Sequence, residues 1–331
     1  MQNDRYPKIH VRSKNELAKH LADRKFTAEQ GLELINDVTK NFDLYWKDHK
    51  KLSKPLEEKW VRDASFTRLG TLLKMVNQKV LAPYDHMVPN FVFGGLSKRS
   101  HKMAVAHLLG VKRGRVLLKL DIRRFYEQIS KERVEHFFAT RADCGKVGAR
   151  MFANLACVQF GAKDQPQPHA TIARGFSTSS RLAVWCNLDT FMRLEWLIQK
   201  ELKGKDPRIA IYVDDIGITA SRVSKEEMMA LYPKIKKILE RDKNQPLPLN
   251  DKKTKIIFHA GDTYSIEGKY EGKRGFEHLG IQMNRNDLTL GTKTRWKRAE
   301  ITHLLKTKKA GHIGLKKARK SLQRYKAFIE S

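Results

Sequence analysis

The sequence IAIYVDDIGITA, residues 209–220, decides the fold prediction because two adjacent carboxylates interrupt a run of strand-forming residues. β-Branched and aromatic residues favour β-strands, and two such runs around a two-residue centre are typical of a β-hairpin. Aspartate is accepted in turns because it tolerates left-handed backbone conformations. In one interpretation, therefore, Asp214 and Asp215 only form the turn. An Asp-Asp pair suits a hairpin turn less well than Asn-Gly or Asp-Gly, which favours a second role.

A third carboxylate ends another apolar run, VLLKLDI at 116–122, where Asp121 is the charged residue near its end. If this strand neighbours the hairpin, Asp121, Asp214 and Asp215 converge at one edge of a sheet. Clustered carboxylates raise one another's pKa unless cations screen them. Mg²⁺ prefers carboxylate and phosphate oxygens, and two such ions roughly 4 Å apart promote in-line displacement at phosphorus. The three aspartates are therefore the predicted catalytic and metal-binding residues, with two Mg²⁺ ions as cofactor and Mn²⁺ as a substitute.

The overall charge indicates the partner. Among 331 residues, 66 Lys and Arg stand against 36 Asp and Glu, which leaves a net charge of +30. Such an excess repels itself in a folded protein, so a polyanionic partner is expected, and nucleic acid is favoured over a membrane. We find no apolar run of transmembrane length and no apolar core of a signal peptide, which predicts a cytoplasmic protein. The three cysteines are too widely spaced for a zinc site and are predicted to be buried thiols.

Helical and strand patterns alternate along the chain in the order expected of an α+β domain, with an antiparallel sheet backed by helices. Residues 1–60 are predicted as an N-terminal helical extension, either an appendage or, preferably, a layer packed on the main domain. Residues 123–141 are predicted as a continuous helix. Residues 291–331 contain 13 Lys and Arg and only two acids. This tail is predicted as a basic helical subdomain that contacts phosphate backbones and buries its apolar residues, Trp296, Leu304, Leu305, Leu322, Tyr325 and Phe328.

Five motifs in this sequence resemble, in order and spacing, the palm motifs of reverse transcriptases, most closely the bacterial retron-type and defence-associated groups: LKLDIRRFYEQI, RGFSTSSRLA, YVDD, LNDKKTKI and HLGIQMN. The resemblance covers roughly residues 70–305. It implies a right-hand polymerase fold, with fingers and palm over 61–290 and a small helical thumb over 291–331. It also implies an RNA-directed DNA polymerase that uses dNTPs and a structured noncoding RNA as template or primer, makes cDNA, and acts in antiphage defence. A further protein of the same system is a candidate effector partner, and the oligomeric state stays open.

The resemblance also assigns roles to single residues. Asp121 and Asp214 match the metal-binding aspartates, Asp215 their supporting neighbour, and the Ile122 carbonyl an additional ligand. The implied nucleotide-binding residues are Tyr126, which matches the position that excludes a ribose 2′-hydroxyl, and Phe125, Arg174, Gly175 and either Lys253 or Lys255. The implied nucleic-acid-binding residues are Tyr212, Gly280 in a primer-gripping segment, Lys98 and Arg99 in the loop before the first motif, and Lys293, Arg295, Lys297 and Arg298 in the thumb.

The second motif departs from the family, which has Gln and Pro where this chain has Arg174 and Ser180. The glycine after Arg174 is expected to let the backbone approach a nascent base pair. Arg174 adds a planar cation able to hold a phosphate or stack on a base. These departures keep open a template-independent or protein-primed polymerase. A catalytically silent RNA-binding scaffold is the alternative of another class. Arg62, Arg68 and Lys74 are further candidates for contacts with the triphosphate.

Overall fold

The computed structural model describes residues 5–112, 114–242, 246–284 and 287–307, together with 314, 315, 317 and 319–323. The helices are α1 Lys14–Leu21, α2 Ala28–Lys40, α3 Arg68–Met75, α4 His101–Leu109, α5 Lys131–His136, α6 Gly145–Ala156, α7 Ser179–Glu201, α8 Lys225–Leu239 and α9 Thr292–Thr307. The strands are β1 Lys47–Asp48, β2 Arg62–Asp63, β3 Arg115–Asp121, β4 Cys157–Ala162, β5 Gln165–Ile172, β6 Arg208–Tyr212, β7 Asp215–Ser221, β8 Lys255–Phe258, β9 Asp262–Ser265, β10 Tyr270–Lys273, β11 Glu277–His278, β12 Ile281–Met283 and β13 Leu288–Leu290.

A six-stranded sheet in the order β10-β9-β8-β3-β7-β6 forms the centre of the protein, and every pair of neighbouring strands is antiparallel. The predicted α+β class with an antiparallel sheet is therefore confirmed. Strand β3 lies between β7 and β8, so the apolar run 116–122 is next to the hairpin as expected. The register pairs Asp121 directly with Asp215. The residues of β3 are buried or half-buried, which suits a central strand covered on both faces.

The hairpin of β6 and β7 differs by one residue from the prediction. Tyr212 pairs with Asp215, so the two turn residues are Val213 and Asp214, and Asp215 already belongs to β7. Val213 has φ 59°, which is unusual for a β-branched residue. The sequence pattern missed this shift because Val reads as a strand residue and Asp as a turn residue. Asp215 is consequently held by strand pairing rather than by turn geometry.

The N-terminal helices belong to the main core. Val11, Leu17 and Ile35 are fully buried in the same apolar cluster that contains Leu118 and Ile218 of the central sheet. Thr27 caps the start of α2 with a capping box. The Thr27 hydroxyl accepts a hydrogen bond from the Gln30 N–H, and the Gln30 side-chain oxygen accepts one from the Thr27 N–H. Of the two alternatives for residues 1–60, the layer packed on the main domain describes this arrangement.

One other prediction about local structure is wrong, and one hairpin was not predicted. Residues 123–141 do not form one helix, because Ile129 takes an extended conformation between a 3₁₀ turn at Phe125–Gln128 and α5. The 129–130 segment instead lies beside β5, where the Ile172 N–H donates to the Ile129 carbonyl at 3.0 Å. The hairpin of β4 and β5 was not predicted, because its second strand, QPQPHATI, contains two prolines and few apolar residues. In the structure this strand is exposed over most of its length.

The helix α9 carries much of the predicted basic thumb. None of its residues is fully buried, and Trp296 is 72% exposed, so the expectation that Trp296 is buried is wrong. Tyr325 and Phe328, which were expected to be buried with it, lie outside the described residues. No helix in the described part of the chain is long and apolar enough to cross a membrane. The three cysteines are free, and Cys144 and Cys157 are buried as expected.

Candidate active site

Three carboxylates meet where β3 ends and β7 begins, and we call Asp121, Asp214 and Asp215 the carboxylate edge. Strand pairing places Asp121 opposite Asp215. The N–H of Ile122 donates to the Asp214 carbonyl at 2.8 Å, which ties the turn to the end of β3. The Asn250 N–H donates to the Asp121 carbonyl at 2.8 Å from the other side. Backbone hydrogen bonds therefore fix all three aspartates.

Burial and the closeness of like charges raise the pKa values of two of the three aspartates at the carboxylate edge. Burial raises the pKa of Asp215 to about 6, and the neighbouring charges of Asp214 and Asp121 add to this effect. Burial also raises the pKa of Asp214, and Asp121 raises it further, while Arg174 and Lys253 act in the opposite direction. The protein thus holds partly buried negative charge that its own cations do not fully compensate. A bound cation would relieve this repulsion.

Lys253 is the basic residue closest to the edge. Its ammonium donates to both carboxylate oxygens of Asp121 at 3.1 Å and remains 53% exposed. It follows β7 and α8 in the chain and lies in a short 3₁₀ turn before β8. Of the two alternatives for a triphosphate contact, the geometry favours Lys253, because Lys255 pairs with Glu271 and its side chain is only 15% exposed. Lys253 is therefore the better placed of the two, and the triphosphate contact itself stays a prediction.

Tyr126 lies beside the carboxylates with a surrounding set of polar contacts. Its hydroxyl is 2.7 Å from the Ser180 hydroxyl, and its ring is covered by the Arg174 guanidinium at 4.8 Å. Arg174 donates in turn to both oxygens of Glu127, at 2.8 and 2.7 Å. Burial lowers the pKa of Arg174, but the hydrogen bond and charge of Glu127 outweigh burial and raise it overall. The Arg174 charge is thus paired with Glu127, and its side chain also lines the pocket described next, so its contact with a nucleotide stays a prediction.

An open pocket of about 490 Å³ joins these groups. Its lining residues are His101, Tyr126, Arg174, Tyr212, Val213, Asp214, Asp215 and Leu279. The predicted residues Tyr126, Arg174, Tyr212, Asp214 and Asp215 therefore share one pocket, and His101, Val213 and Leu279 join them. A larger cavity of about 830 Å³ lies elsewhere, between the N-terminal helices and the β4–β5 hairpin. We take the smaller pocket as the candidate active site because two of the three carboxylates, Asp214 and Asp215, line it, whereas none of them lines the larger cavity.

Two neighbouring glycines allow close approach beside the site, Gly94 to the hairpin turn and Gly95 to the start of α7. A Cβ on Gly94 would lie 2.4 Å from the Val213 nitrogen, and one on Gly95 would lie 2.6 Å from the Ser180 Cβ. The preceding segment extends the sheet, because the Phe93 N–H donates to the Ile211 carbonyl and the Ile211 N–H to the Phe91 carbonyl, both at 2.8 Å. Sequence reasoning treated this segment as a basic loop. The Gly-Gly pair was the signal that another backbone approaches closely.

The turn between β11 and β12 forms another wall of the pocket. Leu279 and Gly280 both have positive φ, 52° and 74°, as a two-residue hairpin turn requires. The Gly280 carbonyl accepts from the Gly291 N–H at 2.8 Å and from the Thr294 hydroxyl at 3.2 Å. The predicted primer-gripping segment is thus attached to the start of α9. Beneath it, His278 is fully buried, and burial lowers its pKa to about 3, so it is neutral.

Several predicted contacts are used for structure instead. Phe125 is 1% exposed and packs in the core, so its predicted nucleotide contact is wrong. Arg99 donates to the carbonyls of Pro89, Val92 and Val88 at 2.5 Å, so its guanidinium holds this loop together, and its contact with nucleic acid stays a prediction. By contrast, Lys98, Lys293, Arg295 and Lys297 are exposed and Arg298 is half-buried, so these cations are available on the surface.

Gly175 and Arg62 also differ from expectation. A Cβ on Gly175, which has φ +105°, would lie 2.4 Å from the Arg62 carbonyl oxygen. The close approach that this glycine permits is therefore to strand β2 rather than to a base pair. Arg62 itself is 3% exposed, pairs with Asp48 and lies over the Trp46 ring at 5.1 Å. Arg68 pairs with Glu33 and Asp37 of α2, so neither arginine is a free triphosphate contact, whereas Lys74 is exposed.

The donor set fits a hard divalent cation. In the described part of the chain, no group of three or more His, Cys, Asp or Glu side chains is arranged to hold a metal ion by itself. Mg²⁺, however, commonly uses only one or two carboxylates and takes its other ligands from water and substrate phosphates. The raised pKa values of Asp214 and Asp215 show charge that a cation would compensate. Asp121, Asp214 and Asp215 are therefore suited to sharing a metal with a phosphorylated substrate.

No protein-family model matches the chain, and no curated protein is significantly similar to it. The site itself combines three carboxylates, an exposed lysine on one of them, and two tyrosines in a pocket open to solvent. Its pocket is wide enough for a nucleotide, while the surrounding chain is strongly basic. This arrangement can bind a polyphosphate through a metal ion and position an attacking hydroxyl beside it.

Proposed function

We propose that this protein is an RNA-directed DNA polymerase with a right-hand polymerase fold, which extends a primer with dNTPs along a structured noncoding RNA in the cytoplasm. The observation that carries the proposal is the pairing of Asp121 with Asp215 beside Asp214 at one sheet edge, where burial and mutual repulsion raise the pKa of two of the three. Stability alone gives no reason for such an edge, because clustered buried charges cost free energy.

The substrate class follows from the surroundings of the edge. Lys253 neutralises part of Asp121 and is exposed enough to contact a triphosphate as well. Tyr126 and Tyr212 offer aromatic surfaces to a sugar and a base. The net charge of +30 suits a nucleic-acid partner. The choice of RNA as template, DNA as product and antiphage defence as setting comes from the motif resemblance.

In the proposed reaction, Asp121, Asp214 and Asp215 would hold Mg²⁺ ions, and such ions would supply activation of the attacking 3′-hydroxyl and charge stabilisation of the leaving pyrophosphate. The backbone bonds from Ile122 and Asn250 keep the carboxylates in place without the substrate. Tyr126 limits the space beside the sugar. The β11–β12 turn, with Leu279 on the pocket wall, is placed to contact the primer.

The test uses the protein purified together with its bound RNA, supplied with Mg²⁺ and labelled dNTPs. We expect nuclease-sensitive DNA whose sequence is complementary to the bound RNA. Asp214→Asn is expected to abolish the product, whereas Asp164→Asn, which changes an exposed aspartate in the β4–β5 turn, is expected to leave it unchanged. Absence of DNA under all priming conditions would refute the polymerase.

A second candidate of the same chemistry is a template-independent or protein-primed polymerase, which the departures of Arg174 and Ser180 from the family motif keep open. The same experiment separates the two, because its product would have a sequence unrelated to the bound RNA or would remain attached to protein. A catalytically silent RNA-binding scaffold predicts bound RNA and no DNA with any nucleotide.

A further inference from the structure

Both residues at which the second motif departs from the reverse transcriptase pattern contact the same side chain. Arg174, in place of Gln, covers the Tyr126 ring at 4.8 Å, and Ser180, in place of Pro, lies 2.7 Å from the Tyr126 hydroxyl. A proline side chain has no hydrogen-bonding group, and a glutamine has no charge to place over an aromatic ring. Neither contact could therefore be made by the residues usual in the family.

Each of these contacts is itself held in place. Glu127, with 7% of its side chain exposed, accepts two hydrogen bonds from Arg174, so the guanidinium has a fixed plane and orientation. Ser180 lies in the first turn of α7, where Gly95 packs against it so closely that a Cβ on Gly95 would lie 2.6 Å from the Ser180 Cβ. Tyr126 is consequently restrained at its ring face and at its hydroxyl.

Rotation of Tyr126 would break these contacts. Burial raises the pKa of the Tyr126 hydroxyl, so the group is protonated at neutral pH and able to donate to Ser180. An aromatic ring that excludes a ribose 2′-hydroxyl does so only if it cannot move aside when a ribonucleotide enters. A ring that loses its hydrogen bond can move at a smaller cost in free energy.

We infer that Glu127, Arg174 and Ser180 are positioning residues that hold Tyr126 in one orientation, and that they thereby set the preference of this polymerase for deoxyribonucleotides over ribonucleotides. The inference rests on the proposed function and concerns the same pocket. It gives the two departures from the family motif a shared role in substrate selection. Under this inference, template handling is not what Arg174 changes, because its charge is paired with Glu127.

The experiment measures kcat/KM for one dNTP and the matching rNTP on a defined RNA template and DNA primer. Ser180→Ala and Tyr126→Phe are each expected to lower the dNTP preference about fivefold, the factor that corresponds to a hydrogen bond of about 1 kcal/mol. Because both substitutions delete the same bond, the double variant is expected to lose no more than either single variant. The change is expected mainly as a lower KM for the rNTP.

Three further variants complete the design. Ser180→Thr keeps the hydroxyl and is expected to retain most of the preference. Glu127→Gln weakens the hydrogen bonds that orient Arg174 and is expected to lower the preference for dNTP over rNTP. Tyr45→Phe removes a tyrosine hydroxyl that donates to Asp37 at 2.6 Å on the N-terminal helices, and it is expected to leave the preference unchanged.

The outcomes separate the inference from the proposed function. A wild-type protein that incorporates dNTPs, together with Ser180→Ala and Tyr126→Phe variants that keep the wild-type preference, overturns the inference alone. Losses that multiply in the double variant also overturn it, because the two hydroxyls would then act independently. A wild-type protein that incorporates no nucleotide overturns the proposed function and this inference with it.

Discussion

The substitution Asp215→Asn is expected to make the folded protein more stable while it removes activity. Asp215 has its pKa raised by burial and by Asp214 from 3.8 to about 6. Each pKa unit corresponds to about 1.4 kcal/mol, so the ionised carboxylate costs the folded state up to about 3 kcal/mol at pH 7. Asparagine has nearly the same shape and carries no charge. We therefore expect the variant to gain between about 1 and 3 kcal/mol in free energy of unfolding at pH 7.

The pH dependence gives this prediction its sign. Because the folded pKa lies above the unfolded value, the folded state binds more protons between about pH 4 and pH 6, and the stability of the wild type falls as the pH rises through that range. The advantage of Asp215→Asn should therefore be full at pH 7 and vanish near pH 4. Urea unfolding of both proteins at these two pH values measures it.

Asp206→Asn is the matched control with the opposite sign. Burial raises the pKa of Asp206, but hydrogen bonds from the Lys112 and Val111 N–H groups and the charge of Arg115 outweigh it and lower the pKa overall. This variant should lose stability at pH 7. The reasoning fails if Asp215→Asn is less stable than the wild type at pH 7, or if its difference from the wild type is the same at both pH values. Added Mg²⁺ should reduce the difference in free energy of unfolding between Asp215→Asn and the wild type, because it stabilises the folded wild type that binds it.

Three further predictions concern the support of the site. Gly94→Ala should reduce nucleotide incorporation by more than tenfold with the fold retained by circular dichroism, because its Cβ would lie 2.4 Å from the Val213 nitrogen; full activity would contradict the packing. Asp85→Asn should lower the free energy of unfolding in urea by about 3 to 5 kcal/mol, because it leaves the buried Arg181 without its counter-charge, and a loss below 1 kcal/mol would contradict this. Lys293→Ala with Lys297→Ala should weaken RNA binding and lower the slope of log affinity against log salt by about 1.4, whereas an unchanged slope would remove α9 from the interface.

The sequence was sufficient to predict the centre of the sheet and the carboxylate edge. Two apolar runs with an aspartate at one end pair in few ways, so the convergence of Asp121 with the Asp214–Asp215 pair at one sheet edge could be predicted. The register of the turn could not, since a shift of one residue depends on Val213 adopting a positive φ. Such a conformation is imposed by the surrounding packing, here by the Gly94 backbone, and leaves no mark in local residue preferences.

The roles of the arginines were the least predictable part of the site. Arg62, Arg99 and Arg174 all looked like phosphate-binding cations in a basic chain, yet each is committed to acceptors far away in the sequence or in an adjoining loop. Which cation is paired depends on tertiary contacts. Glu127, the partner of Arg174, was the one signal left unused. It is an acidic residue directly after Tyr126 in the first motif, and an acid there can pair with an arginine of the second motif.

The measurement that tests the central claim most directly is the single-turnover rate of one dNTP addition in the presence of Mg²⁺ by the wild type, Asp214→Asn and the control Asp164→Asn. If the carboxylate edge performs nucleotidyl transfer, Asp214→Asn lowers the rate by at least about 100-fold, as the loss of a charge-stabilising group does in other enzymes. Asp164→Asn then matches the wild type. Equal rates in Asp214→Asn and the wild type would show that the chemistry, if present, lies elsewhere in the molecule.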